Sequence, residues 1–205
     1  MPTDALTRAL SHRPATDLAP LPQLRARLAT AADAEGLVDV ACTTIDSPAG
    51  PLLLAATPAG LVKVAFTGVD DEATVLADLA GRISTRLLRL PARLDPVVRQ
   101  LDEYFAGRRR DFDLPLDLRL SHGFRGAVLH ELRSVRFGTT VSYTALAAAA
   151  GRPRAVRAVG SACATNPIPI VVPCHRVLRS DGSLGGYTGG LPVKRALLDL
   201  EHAAA

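Results

Sequence analysis

The apolar pattern of this chain changes period partway along, and that change limits the folds open to it. From Val38, short runs rich in Val, Leu, Thr and Phe ("VDVACTTI", "GPLLLAAT", "GLVKVAFTG") are broken by "DSPAG" and "PAG". Such spacing predicts three antiparallel strands joined by tight turns. Helical periods follow in "DEATVLADLAGRI" and "LDPVVRQLDEYFAG", the second stopping at Gly107. Residues 37–118 therefore read as a small α+β domain. Beyond them the pattern is mostly helical. "FRGAVLHELRSV" carries Phe124, Val128, Leu132 and Val135 at helical spacing, and "VSYTALAAAAG" offers Ser142 as an N-cap and Gly151 as a stop. "PRAVRAVGSACA" has Pro153 where a helix can begin. The expected fold is thus α+β in two domains: a small N-terminal antiparallel sheet with helices, then a mostly helical domain over 119–205. Residues 1–36, with four prolines and no sustained period, read as a partly flexible extension or frayed helix.

A chain of 205 residues with 48% hydrophobic content can bury a proper core. No run approaches the roughly 18 apolar residues of a membrane span, and the first residues lack the apolar centre of a secretion signal. These features place the chain in the cytoplasm, away from membranes. Cys42, Cys163 and Cys174 are odd in number and form no C-x-x-C pair, so at least one thiol stays free. Charge is unevenly spread: residues 1–120 carry a net −2 and residues 121–205 a net +6. The basic half suits an anionic partner, nucleic acid first, although an arginine-rich composition scattered by chance accounts for the charge equally well.

The two short helices of the basic half, joined by a glycine-containing turn, form a helix-turn-helix candidate. The second is almost all small residues: Ala155, Ala158, Gly160, Ser161, Ala162 and Ala164, with Arg154 and Arg157 as its long side chains. A base-reading helix would carry Asn, Gln, Arg or Lys at several positions. A smooth helix can instead approach a narrow groove closely while backbone amides and scattered arginines hold phosphates, which implies binding without sequence preference. The bland alternative is a small-residue helix packed tightly on a neighbour.

The stretch "PIPIVVPCHRVLRSDGSLGGYTGG" presents Cys174 and His175 side by side after an apolar run and before a glycine-rich loop. Only a thiolate is a good nucleophile, and an ordinary cysteine is a few per cent thiolate at neutral pH. His175 could serve as its base, directly or through a water, with Glu201 near the end of "PVKRALLDLE" holding the imidazole. Buried cysteines and core histidines without chemistry are the competing explanation.

Taken together, "NPIPIVVPCHRV", "GSLGGYTGGLPVKRALLDLE" and "VSYTALAAAAGRPRAVRAVG" resemble the O6-alkylguanine-DNA alkyltransferases, also called methylated-DNA-protein-cysteine methyltransferases. The likeness is close over residues 124–201 and looser over 38–120, where it rests on "SPAGPLLLAATPAGLVKVAF" and "LDEYFAGRRRDFDLPLD". It implies a ribonuclease-H-like N-terminal domain and a C-terminal DNA-binding and alkyl-acceptor domain. Cys174 would accept the alkyl group from O6-alkylguanine, and less well from O4-alkylthymine, in one irreversible, stoichiometric step. His175 would take the thiol proton through a water, Glu201 would orient His175, and Asn166 would tie the loop into that network. Tyr143 would protonate guanine N3.

The resemblance further implies that Arg157 inserts where the flipped nucleotide was, in the minor groove of double-stranded DNA bound without sequence preference. Ala155, Ala158 and Gly160 would line that approach, with Arg154 and Arg176 weaker candidates, for a phosphate contact and for structural hydrogen bonds respectively. Val177, Tyr187, Thr188 and Gly189 would hold the guanine, with glycines at 185, 186, 189 and 190 letting backbone approach it. The expected state is a monomer without cofactor. No metal is expected either, since Cys42 with His12 or His122 makes no convincing set of four ligands. A turnover cysteine hydrolase, a non-catalytic sensor of alkylated DNA and a transcriptional regulator are the other function classes.

Overall fold

Strands β1 (Val40–Ile45), β2 (Leu52–Thr57) and β3 (Gly60–Phe66) form where the three β-type runs lie, and they pair antiparallel in sequence order. The computed structural model describes residues 21–204. A fourth strand, β4 (Leu87–Arg89), corrects the three-stranded expectation: it pairs parallel with β1, so the sheet order is β3-β2-β1-β4. Three residues, two leucines and an arginine, carry no readable alternation, and a parallel partner more than forty residues away leaves no local turn signal.

Helix α1 (Leu21–Ala34) lies in the segment read as an extension; it belongs to a separate unit ending at Leu37, and residues 1–20, His12 included, fall outside the described residues. Helices α2 (Glu72–Arg82) and α3 (Asp95–Phe105) match the two helical periods. Asp71 caps α2 by accepting from the Thr74 amide. The second half holds α4 (Phe124–Leu132), α5 (Tyr143–Ala149), α6 (Val156–Ala164) and α7 (Leu191–Ala203), with a two-stranded parallel pair of β5 (Val141–Ser142) and β6 (Val177–Leu178). Ser142 caps α5 through the Ala145 amide, and Gly151 follows it at φ +75°, as expected.

Helix α6 starts later than Pro153. Pro153 and Arg154 instead sit in a tight turn closed by the Ala155 amide on the Arg152 carbonyl (2.9 Å), and Ala155 is the N-cap. Proline is as well suited to the second position of such a turn as to a helix start, and the sequence does not separate the two. No helix among the described residues is long and apolar enough to cross a membrane.

Val38–Ala205 is one compact unit. One apolar cluster runs through it, from Leu52, Leu54 and Phe66 of the sheet to Val128, Val159 and Cys174 of the helical half. β3 is an edge strand, and its open side is used rather than left exposed. Leu61 donates to the Pro115 carbonyl (2.9 Å), Asp117 donates to Leu61 (2.9 Å), and Val64 donates to Pro167 (2.8 Å). The last bond ties the sheet to the segment leading to Cys174.

The segment after α3 is pinned by Asp117, a buried carboxylate that accepts from the Thr57 hydroxyl (2.5 Å) and the Arg119 amide (3.1 Å) and pairs with Arg119 Nε (2.7 Å). Asp117→Ala leaves the buried Thr57 hydroxyl proton without its acceptor and should cost about 1–3 kcal/mol in urea unfolding. Asp78→Ala, which removes the exposed Asp78–Arg82 pair, should stay within about 0.5 kcal/mol of the parent.

Candidate active site

The Cys174 turn is built from a short, strained approach. Asn166 ends the run from α6, and its side chain folds back on the loop it opens. Oδ1 accepts from the Ile168 amide (3.0 Å), while Nδ2 donates to the Val172 carbonyl (2.8 Å) and to Cys174 Sγ (3.2 Å). Between these contacts the chain reverses at Ile170, a fully buried isoleucine at φ +73°. A β-branched residue in that region costs on the order of 1–2 kcal/mol, so it persists only because its surroundings hold it. The Val172 amide closes the reversal on the Ile168 carbonyl (2.8 Å). Pro173 then leads into a single 3-10 turn, Cys174–Arg176.

That turn delivers three side chains inward. His175 Nε2 lies 2.8 Å from Glu201 Oε1. Arg176 meets the same carboxylate in a fork, Nε to Oε2 (2.9 Å) and Nη2 to Oε1 (2.8 Å), and its Nη1 donates to the Val135 carbonyl (2.5 Å). Tyr104 of α3 donates its hydroxyl to Oε1 (2.8 Å), and the Gly138 amide donates to Oε2 (3.2 Å). Burial alone would raise Glu201, but the hydrogen bonds from His175 and Arg176 outweigh it and hold the carboxyl at about 2. An ionised carboxylate only accepts, so Nε2 of His175 carries its proton and Nδ1 is the free lone pair. Nδ1 is buried and makes no hydrogen bond among the described residues. Burial lowers the His175 pKa, so the ring is a neutral base at physiological pH.

Cys174 itself is 2% exposed. Burial pushes its thiol up to about 11, against the opposing pull of the Asn166 hydrogen bond and the Lys194 charge. The resting group is therefore the thiol. Lys194 was missed in the sequence, where it reads as one of many surface cations; it is fully buried on α7. Its amine donates to the Val177 carbonyl (2.6 Å) and the Gly185 carbonyl (3.3 Å), bracing β6 against the glycine loop. Tyr104 was also missed as a site residue, because it comes from the other half of the chain and only the fold brings it to Glu201.

A cleft of about 510 Å³ opens beside this core, lined by Tyr143, Val156, Arg157, Gly160, Ala164, Arg179, Gly185, Gly186, Tyr187 and Thr188. It unites Tyr143, Arg157, Gly160, Tyr187 and Thr188 from the sequence-derived set and adds Arg179. Arg157 and Arg179 are exposed, and neither side chain makes an ion pair or hydrogen bond among the described residues. Ala158 is exposed on the same helix, whereas Arg154 and Ala155 precede α6 and do not line the cleft. Val177 and Gly189 are buried and do not line it. Burial, and then the nearby thiols of Cys163 and Cys174, raise the Tyr143 phenol.

The small residues of α6 divide by face. Val159, Ala162 and Cys163 are buried, while Arg157, Ala158, Ser161 and Ala164 are exposed, and a methyl group at Gly160 would meet nothing within 4 Å. The smooth face is thus turned outward and is not a packing surface. At Gly185 a Cβ would come within 2.3 Å of the Tyr143 hydroxyl. Glycine there makes room for a side chain of this protein as well as for any ligand. Among the described residues no cluster of His, Cys, Asp and Glu could hold a metal ion; Cys42 is buried in β1 and His122 is on the surface.

Comparison with known proteins gives this arrangement a family. The model of the 6-O-methylguanine DNA methyltransferase ribonuclease-like domain matches residues 40–118, and that of the 6-O-methylguanine DNA methyltransferase DNA binding domain matches residues 123–203. A methylated-DNA–protein-cysteine methyltransferase of Mycobacterium tuberculosis is 41% identical over 162 residues, covering 79% of this chain and 92% of the relative. One from Methanosarcina barkeri is 40% identical over 158 residues, covering 77% and 94%. The solved O6-methylguanine methyltransferase of Mycobacterium tuberculosis superposes with a TM-score of 0.71 over 81% of this chain and 94% of that one. The structure of the protein from that organism in complex with DNA gives 0.70 over 80% and 94%. The chain belongs to the 6-O-methylguanine DNA methyltransferase family and is a transferase.

The Glu201 carboxylate is the structural debt of this site, and its removal should be felt as stability. Its folded pKa is depressed, so its contribution is full above the ordinary carboxylate value of 4.5 and is lost as the pH falls toward about 2. Glu201→Gln leaves the Arg176 charge buried without its partner and should cost roughly 3–5 kcal/mol. Urea unfolding at neutral pH measures the loss. Repeated at about pH 3, the gap between the two proteins should narrow.

Proposed function

We propose that this protein repairs DNA by direct reversal, moving the alkyl group of O6-alkylguanine in a duplex onto Cys174 in a single stoichiometric reaction. The observation that carries this reading is the buried Asn166–Cys174–His175–Glu201 arrangement beside a cleft lined by Tyr143, Arg157 and the smooth face of α6. The family relationship and the DNA-bound relative support DNA repair by alkyl transfer.

Each residue then has a task. A substrate base in the cleft brings its alkyl carbon to the thiol. The Cys174 proton passes through a water to His175 Nδ1, while Glu201 holds the resulting imidazolium and Asn166 steadies the sulfur. Sγ bonds to the alkyl carbon as the C–O6 bond breaks, and the electron pair of that bond goes to the guanine. Tyr143 gives a proton to guanine N3, so the base leaves neutral. The imidazolium proton of His175 then returns to the Tyr143 phenolate through solvent and the N3 proton moves to N1, leaving a thioether and an ordinary guanine, and no group in the site can cleave the thioether. Each chain would act once.

The base must leave the stack to reach a buried sulfur. Arg157 would fill the gap it leaves, and Arg179 across the same cleft would hold a flanking phosphate. The outward face of Ala158, Gly160, Ser161 and Ala164 suits close approach along the minor groove with no side chain long enough to read bases. On this reading Tyr187, Thr188 and the backbone near Val177 and Gly189 bind the guanine. The sheet half, 37–118, supports an acceptor half, 119–205, and the protein acts as a monomer without cofactor. O4-alkylthymine would be a slower substrate.

Intact mass after incubation with an equal amount of duplex containing one O6-methylguanine should rise by one methyl group per chain and stop there, on the peptide containing Cys174. DNA binding with no mass change would make the protein a sensor instead. Cys174→Ser should abolish transfer and leave DNA binding in place. Arg157→Ala should slow transfer from duplex about tenfold more than transfer from the free base O6-benzylguanine; equal slowing would remove its flipping role. Because the thiol proton moves to His175 and stays within the site, the transfer rate should be flat through the neutral range, where His175 is already neutral, and rise only as the pH approaches the thiol's value of about 11.

A further inference from the structure

We infer that Phe66, at the end of edge strand β3, is a positioning residue for the loop 185–190 and sets how large an alkyl group the site accepts; this rests on the alkyl-transfer reading above. The Phe66 ring is buried against the loop backbone. A Cβ built on Gly189 would lie 2.9 Å from two of its ring carbons and 3.0 Å from a third. No side chain fits between ring and loop, so the position of one dictates the position of the other.

The ring also meets Tyr187 edge-on, with centroids 5.8 Å apart, and Tyr187 in turn meets His175 edge-on at 6.2 Å. A series of rings therefore runs from the sheet to the base. Tyr187 lines the substrate cleft, yet its hydroxyl is buried with no hydrogen-bond partner among the described residues. Ring packing, not a hydrogen bond, fixes this wall of the cleft, and Phe66 is the outer member of the packing.

The strand reaches the opposite side of the site as well. Val64, two residues earlier and so on the same face, donates its amide to Pro167, next to Asn166. β3 thus holds both the Asn166 side and the glycine loop at a fixed separation. Shortening the Phe66 side chain would let Tyr187 retreat into the vacated volume. The cleft would become looser for a methyl group and roomier for a benzyl group.

Single-turnover rates with duplexes containing O6-methylguanine or O6-benzylguanine, and thermal unfolding without DNA, test this on the parent, Phe66→Leu, Phe66→Ala, Gly189→Ala and the double variant F66A/G189A. Phe66→Ala should slow methyl transfer about tenfold and raise the benzyl-to-methyl rate ratio at least about fivefold, with Phe66→Leu between. Gly189→Ala, forced against the ring, should lose about a hundredfold, and F66A/G189A should recover to within about threefold of Phe66→Ala. An unchanged benzyl-to-methyl ratio, or losses that simply multiply in the double variant, would overturn the inference. Should Gly189→Ala fail to fold, a folded double variant is itself the rescue and an unfolded one overturns it. The melting temperatures must show the same non-additivity in the absence of substrate. A parent that transfers nothing while the melts remain coupled would sink the proposed reaction and leave the Phe66 contact standing; additive melts would sink the contact.

Discussion

A single buried carboxylate organises this molecule. Glu201, near the end of the last helix, gathers a tyrosine from the sheet half, a backbone amide from the loop after α4, and the imidazole and guanidinium of the Cys174 turn. Taking a charge out of water is repaid here because every donor converges on it and the Arg176 fork matches its geometry. The same contacts that keep Glu201 ionised decide which nitrogen of His175 bears the proton. Stability and the tautomer of the base are thus consequences of one arrangement, and neither can be altered without the other.

Around that centre, the sheet half acts as a clamp. The open edge of β3 is occupied by backbone from the Pro115–Asp117 segment and from Pro167, so the strand that would otherwise invite association with another chain is used internally. The apolar cluster continues across the boundary between the halves without a gap. A strained residue such as Ile170 can be held at φ +73° only inside such a packed setting. The reversal it makes is what returns the chain to present Cys174 beneath the cleft.

Much of this was legible in the sequence, and the illegible parts share a cause. Period-two runs and capped helical runs are local signals, and they placed β1 to β3, α2, α3 and α5 close to their positions. β4 was not visible because its pairing is parallel and distant. Pro153 misled because a turn and a helix start both welcome proline. The pairing of His175 with Glu201 and a hydrogen-bonding role for Arg176 were anticipated from the motif, but Tyr104 on the same carboxylate, and Lys194 beneath the glycine loop, were not. Nothing in composition marks a lysine as buried; only the carbonyls of Val177 and Gly185 do. The small residues of α6 were ambiguous between packing and approach until their outward face was seen to meet nothing.

The burial of Cys174 bears on how such a protein can be kept. If the chain reacts once, as proposed, it must survive from synthesis until it meets its lesion, amid peroxides and stray electrophiles that consume exposed thiolates. With its thiol at about 11 and 2% exposed, Cys174 is almost entirely protonated and shielded while it waits. Reactivity is withheld by the pocket itself and, on the proposed reaction, released when a base enters it. The depressed reactivity of the resting state is in that sense a shelf life, set by the same walls that define the substrate.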